Sequence, residues 1–258
     1  MAQNIFERYG IKEVANVTFQ ALEKDEKFGY EKDDIVMYLD TLKVSTIETT
    51  AENVSAQGGK GNAKLITWDY GKDINVTLED AVVSWEELKI MLGAQSHNAS
   101  EQHKVTIHKT AQVTIETAGE LPAEDVDGNT LPESMANVKY INMTKGTRPT
   151  ALSADTAAIG DKIRLFWTEE IDGTDGKDAV ELVISPETFP GTYRVIGDAL
   201  IRSESTGADE AFQFVINKAK MLSEVTLTMQ AEGDPSTFSM TLNVLRDADG
   251  HMFSLIKY

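Results

Sequence analysis

Residues 221–245 read MLSEVTLTMQAEGDPSTFSMTLNVL. Apolar side chains recur at every second position, Val225, Leu227, Met229 and Ala231, then Phe238, Met240, Leu242 and Val244, which is the period of a strand with one oily face. Between the halves stands Gly233-Asp234-Pro235-Ser236. Gly tolerates positive φ, Pro presets φ and Asp bonds back to the following backbone, so the chain is expected to reverse there as a β-hairpin. The other face holds Glu224, Thr226, Thr228, Gln230 and Glu232 against Thr237, Ser239, Thr241 and Asn243, with no Lys or Arg. Such a face belongs against water, and Leu227, Met229, Phe238 and Leu242 belong in a core.

The β pattern spreads in both directions. Ile35 to Ala56 is rich in β-formers and closes on Gln57-Gly58-Gly59-Lys60-Gly61-Asn62, a run few regular elements survive. Lys64 to Tyr70 and Asp73 to Asp80 read as strands about Gly71-Lys72, a second hairpin with Asn75, Thr77 and Glu79 on its polar face. Ser84-Trp85-Glu86-Glu87 has the capping-box form, and Gly93 supplies the stop, so a short helix is expected over Ser84 to Leu92. Val105 to Thr117 reads as a strand. The stretch 119–149 holds three of the six Pro and few apolar runs. Beyond it, Lys162 to Thr168, Ala179 to Ile184, Thr192 to Arg202, Phe212 to Ile216 and His251 to Tyr258 are short strands with the rhythm of a sandwich or barrel. The expected organisation is an N-terminal arm over 1–34, with a short amphipathic helix near Asn4 to Gln20. A first β part follows over 35–118, including the helix 84–92, then a loop-rich insertion or decoration over 119–177 and a second β part over 178–258.

The 258 residues include 42 acidic and 24 basic side chains, a net charge of −18. That argues against gripping phosphate backbones or anionic membranes, because both rest on Lys and Arg. With no Cys there are no disulfides, thiolate metal sites or cysteine nucleophiles. The start, MAQNIFERYGIKEVANVTF, lacks a basic region followed by an apolar run, and no 18 consecutive residues are apolar. A soluble protein made in a cytoplasm is expected, and the N-x-[ST] triplets at Asn16, Asn53, Asn75, Asn98 and Asn142 are then chance matches.

No residues assemble into a familiar active site. Gly58 to Gly61 fits a phosphate loop poorly: the opening Gly is missing, and Lys60 is followed by Gly, not Ser or Thr. His97, His103 and His108 match no ligand spacing. None of the Asp-rich runs 125–129, 172–178 and 247–250 supplies both the Gly at the sixth position and the Glu at the twelfth that a calcium loop needs, and all three read as turns. There is no G-x-S-x-G elbow, and pairs such as Glu86/Glu87 and Glu169/Glu170 read as solvated charge. The expectation is a protein that is no enzyme, with no catalytic, cofactor or metal residues.

Three passages together resemble the tail tube (major tail) proteins of long-tailed bacteriophages: GGKGNAKLITWDYGKDINVTLEDAVVSWEELKIMLG (58–93), FPGTYRVIGDALIR (189–202) and FQFVINKAKMLSEVTLTMQAEGDPSTFSMTLNVLRDADGHMFSLIKY (212–258). They cover rather more than a third of the chain, and their order, strand pair, short helix and closing hairpin, is more specific than β composition. The resemblance implies a mainly β fold, a tail-tube-type β-sandwich or partial barrel with one short flanking helix and a loop-rich insertion. Six copies would close into rings, and the rings would stack into a hollow tube carrying DNA. The inner wall would draw on Leu42 to Ala56, Lys64 to Asp80 and the Met221 to Leu245 hairpin. Its lumen-facing residues would be Glu224, Thr226, Thr228, Gln230, Glu232, Ser239, Thr241 and Asn243, with Gly58, Gly59, Lys60 and Gly61 as an inter-subunit or inter-ring loop. Implied partners are copies of the chain itself, a tape-measure protein in the lumen, tail terminator and baseplate or distal tail proteins, a sheath if the tail contracts, and DNA passing without specific binding. No membrane is implied. The competing reading is another tail component with a related fold: a head–tail joining protein, a distal tail protein, or a decoration or host-binding module.

Overall fold

In the computed structural model, residues 7–11, 13–133, 135–174, 178–225 and 237–258 are described. They form strands β1 (Tyr9–Ile11), β2 (Asn16–Ala21), β3 (Ile35–Leu39), β4 (Leu42–Gly58) and β5 (Ala63–Asp80), then helix α1 (Trp85–Leu92). Strands β6 (Gln95–Asn98), β7 (Val105–Thr114), β8 (Ala136–Asn142), β9 (Lys162–Ile171) and β10 (Val180–Val183) follow. The chain ends with β11 (Thr192–Ser203), β12 (Asp209–Met221), β13 (Phe238–Val244) and β14 (Ser254–Lys257). The fold is mainly β, as the sequence led us to expect, and among the described residues there is one short helix and no sheet closes into a barrel.

The chain divides into two compact units, residues 1–95 with 182–258, and residues 96–181. In the first, nine antiparallel strands form a sheet ordered β3-β2-β11-β12-β13-β5-β4. There β1 pairs with β11, and β14 pairs with β12 through residues 212–215 while β13 takes the far end of β12 through residues 219–221. Alternation decides which face is core. Val17, Phe19 and Ala21 of β2, Ile74, Val76 and Leu78 of β5, and Met240, Leu242 and Val244 of β13 are buried, while their odd or even neighbours are not. Burial also pushes the Tyr193 hydroxyl up to about 12.

Helix α1 begins where the sequence says it does. The Ser84 side chain accepts from the Glu87 amide at 3.2 Å, and the Glu87 carboxylate accepts from the Ser84 amide at 2.6 Å. Gly93 ends the helix at φ 62°, and a Cβ there would stand 2.5 Å from the Phe189 carbonyl carbon, so only Gly fits. Ile90 and Met91 enter the core; Tyr30 donates to Glu86 at 2.6 Å and Lys27 to the Gly93 carbonyl at 3.0 Å, holding the helix to the turn after β2.

The second unit carries a three-stranded sheet, β7-β9-β8, whose inner face supplies Val113, Ile163, Leu165 and Trp167 to a separate core with Ile115 and Ala157. Asp161 is buried there, taking hydrogen bonds from Asn142 Nδ2 and the Ala158 amide, and the Asn142 bond leads the causes that hold its carboxyl below the ordinary range. Strands β6 and β10 make a separate two-stranded ladder.

Two expectations require correction. The N-terminal stretch expected to hold an amphipathic helix folds as β1 and β2. Its apolar residues Val17, Phe19 and Ala21 have period two, and β11 and β3 offer β2 a ladder on each side. Gly71-Lys72 does not reverse the chain: β5 runs unbroken through it, and the pairing slips between Thr50↔Asp73 and Glu52↔Tyr70, so the glycine, at φ 60°, sits in a bulge. The reversal lies instead at residues 59–62, where Gly59, Gly61 and Asn62 all have positive φ. In the 221–245 hairpin, residues 226–236 lie outside the described residues, and β13 finds its main partner in β5.

Candidate functional site: a polar sheet face and an uncovered hairpin

Strands β13, β5 and β4 are neighbours, and their register sets Ser239 beside Glu79, Thr241 beside Thr77 and Asn243 beside Asn75. On the other side of β5, Thr46 faces Thr77, Glu48 faces Asn75 and Thr50 faces Asp73. These positions form one face of hydroxyls, amides and carboxylates with no Lys or Arg among them, while the face behind them is the core. Asn243 Nδ2 donates to Asp73 Oδ1 at 2.8 Å and to Asn75 Oδ1 at 3.1 Å, and Asn75 Nδ2 donates to Asp73 Oδ2 at 3.1 Å. The amides are thereby held in place across two strands.

Of the eight residues assigned to a lumen, Ser239, Thr241 and Asn243 lie on this face, half-buried, and Glu224 is exposed beyond the end of β12. Thr226, Thr228, Gln230 and Glu232 lie outside the described residues, as do Leu227 and Met229 of the expected core. Leu242 is fully buried and Phe238 half-buried against the core.

Beyond Thr50 the β4–β5 pair leaves the core. Residues 61–70 are all exposed, as are 50–54, so the ribbon is uncovered on both faces. At about 3.3 Å per residue, β4 runs roughly 30 Å from the last buried rung, Thr49↔Ile74, to Gly58. Its tip is Gly58, Gly59, Lys60 and Gly61, which brings the four expected loop residues together at the far end of the longest hairpin. The ribbon is not a polar spacer: Val54, Leu65, Ile66, Trp68 and Tyr70 are each 53–66% exposed. Val54 stands opposite Trp68, and Ile66, Trp68 and Tyr70 share a face. A two-stranded ribbon is marginal in water without a packing partner, and apolar side chains on both of its faces call for one. Sequence reading did not single out this surface. Trp167 is core, but Trp68 and Trp85 are 53% and 62% exposed. The usable signal was the adjacent pair Leu65-Ile66, which must place apolar groups on opposite faces. A groove on the same unit, walled by Ile47, Phe212, Phe253 and Leu255, is a further uncovered apolar area.

The residues weighed for chemistry remain scattered or self-satisfied. His97 and His103 stack at 4.5 Å and His103 approaches Glu181 at 3.4 Å, while His108 lies elsewhere on β7. Among the described residues no group of three or more such side chains is placed to hold a metal. The Asp125 carboxylate accepts from Asn129 Nδ2 and from the Asn129 and Asp127 amides, and Asp247 accepts from Asn217 Nδ2 and the His251 and Asp249 amides. These donors lower both pKa values and make the runs turns. Among the described residues no helix is long and apolar enough to cross a membrane.

A family model described as the YomU/Tube protein family matches residues 9–255, nearly the whole chain. No curated protein matches it.

Proposed function

Because the chain belongs to the YomU/Tube protein family, we propose that it is a structural subunit of a phage tail tube. Copies assemble with one another into stacked rings, hexameric by resemblance, around a channel through which DNA is delivered. The observation that carries this reading is the β4–β5 ribbon, an apolar two-faced arm that gains its cover only from another copy. Two further features support it. Among the described residues the main sheet ends in β3 on one side and β4 on the other with no strand beyond either. Free edges are an aggregation liability, and a ring removes it by pairing one edge with the opposite edge of the next copy. The cation-free face of β13, β5 and β4 suits a lumen wall: its hydroxyls and amides keep it wet, and Glu48, Asp73 and Glu79, on a chain of net charge −18, repel phosphates so that DNA slides without sticking.

In this reading Glu224, Ser239, Thr241 and Asn243 line or border the lumen together with Thr226, Thr228, Gln230 and Glu232, and Gly58 to Gly61 carry the arm to a neighbour or to the next ring. The tape-measure protein occupies the lumen during assembly in the host cytoplasm. Terminator and baseplate proteins close the ends, and a sheath covers the outside if the tail contracts. Negative-stain microscopy of the purified protein tests the proposal. Long tubes of uniform bore are expected; a protein that stays monomeric at high concentration refutes it. In a reconstructed tube, Lys or Arg rings dominating the lumen would end the repulsion argument.

A further inference from the structure

The sheet β7-β9-β8 buries one face, and its other face is unlike the rest of this acidic molecule. Phe166 stands at its centre, 37% exposed, in register with Thr110 on β7 and Lys139 on β8. The next rung sets Arg164 between Gln112 and Ile141, and Lys162 follows on the same face. Two shallow cavities of about 310 Å³ and about 340 Å³ meet here, with Phe166 and Lys139 in the walls of both. Arg148 and Thr150 complete the second. In the first, β8 bulges at Asn137, φ 55°, and the Asn137 amide reaches Thr168 Oγ1 at 3.4 Å.

In a chain where carboxylates outnumber cations by 42 to 24, a cation ordinarily finds a carboxylate. Lys139, Arg148 and Lys162 form no ion pair among the described residues, and Arg164 donates only to Gln112, at 3.0 Å. The acid that shares the face, Glu170, is engaged by Lys104 at 3.1 Å. An exposed aromatic ring flanked by unpaired cations and by amide and hydroxyl groups is the donor set for a ligand that is flat and apolar on one side, anionic, and rich in hydroxyls.

We propose that this face binds an acidic oligosaccharide. A sugar ring packs its C–H face on Phe166. Its carboxylates take Lys139 and Arg148, which wall the same cavity on the β8 side of Phe166, Arg in the bidentate fork, while Asn137, Thr110 and Thr168 serve its hydroxyls. The net charge of −18 does not forbid this, because charges farther away than about 8 Å are largely screened at physiological salt. A nucleic acid fits less well. Strand binders use several stacking aromatics and many phosphate contacts, whereas this face has one exposed ring and cavities sized for a few sugar units. The inference rests on residues 96–181 alone, so tube assembly and glycan binding succeed or fail separately.

The test titrates the full chain with a short oligogalacturonate, with a neutral oligosaccharide of the same length, and with a single-stranded oligothymidylate, by calorimetry at two salt concentrations. Expected is saturable binding of the oligogalacturonate alone, weakened by salt. Phe166→Ala and Lys139→Glu should each lower the affinity by about tenfold or more, the scale of one lost aromatic or charged contact. Lys139→Glu should melt like the parent, its side chain being exposed, and Phe166→Ala only somewhat lower, since the ring is covered in part but is no member of the core. No saturable binding of the oligogalacturonate, binding that both variants leave unchanged, or equal binding of the oligothymidylate overturns the proposal.

Discussion

Replacing Ile66 and Trp68 by threonine removes two of the four large apolar side chains, with Val54 and Tyr70, on one face of the β4–β5 arm and leaves two good strand formers in their place. The two side chains are 55% and 53% exposed, so roughly half of each remains for a partner to cover. Full burial of a large apolar side chain contributes about 2 kcal/mol, so the half still available contributes about 1 kcal/mol at each position, and about 2 kcal/mol per contact for the pair. That is roughly a thirtyfold weaker contact, and the concentration needed for assembly rises accordingly. The monomer should hardly notice, because neither side chain belongs to the core and surface changes of this kind stay within about 0.5 kcal/mol. Sedimentation velocity over a concentration series reads the first effect, and circular-dichroism melting reads the second. A double variant that assembles at the parent's concentration refutes the arm as an interface. One that fails to assemble because its melting point has dropped shows that the ribbon supports the monomer instead.

Three further outcomes follow from local chemistry. Gly93→Ala combines a left-handed backbone with a Cβ driven to 2.5 Å from the Phe189 carbonyl carbon, and should cost about 2 kcal/mol or more in urea unfolding. Ser84→Ala deletes one half of the capping box and should cost about 1 kcal/mol by the same measurement; no change would mean that Glu87 alone holds the helix start. Asp161 is held ionised by Asn142, the Ala158 amide and Lys145, which lowers its folded pKa below the ordinary 3.8. Its contribution is therefore complete above that value and is lost as pH falls through the lower folded pKa. The gap in thermal midpoint between the parent and Asp161→Asn should be widest near neutral pH and shrink on acidification; a gap independent of pH would contradict the assignment.

Local signals were read correctly where the cause was local. The capping box at Ser84 and Glu87, the stop at Gly93 and the two-residue period of Phe238 to Val244 each involve neighbours within a few residues, and the structure has them. The errors came where the deciding partner was distant. Asn16 to Ala21 has too few residues for its period to be compelling. It becomes a strand because β11, nearly two hundred residues on, pairs with it through Tyr193↔Ala21 to Asp198↔Asn16. Gly71-Lys72 has the composition of a turn, yet an uninterrupted β4 lies opposite and turns it into a bulge. Phe166 looked like one more strand residue beside Trp167; only the register with Thr110 and Lys139 gathers the unpaired cations about it.

By itself the sequence determined the class of fold, the helix and its caps, the cation-free composition of the β13 and β5 faces, and the acidity of the whole, because periodicity, capping and charge are written in near neighbours. Tertiary structure alone decided that β13 lies against β5, that the β4–β5 pair continues past the core as an uncovered arm, and that cations gather about Phe166. Those follow from strand register, which pairs residues far apart in the chain and is fixed by the burial of the opposite face.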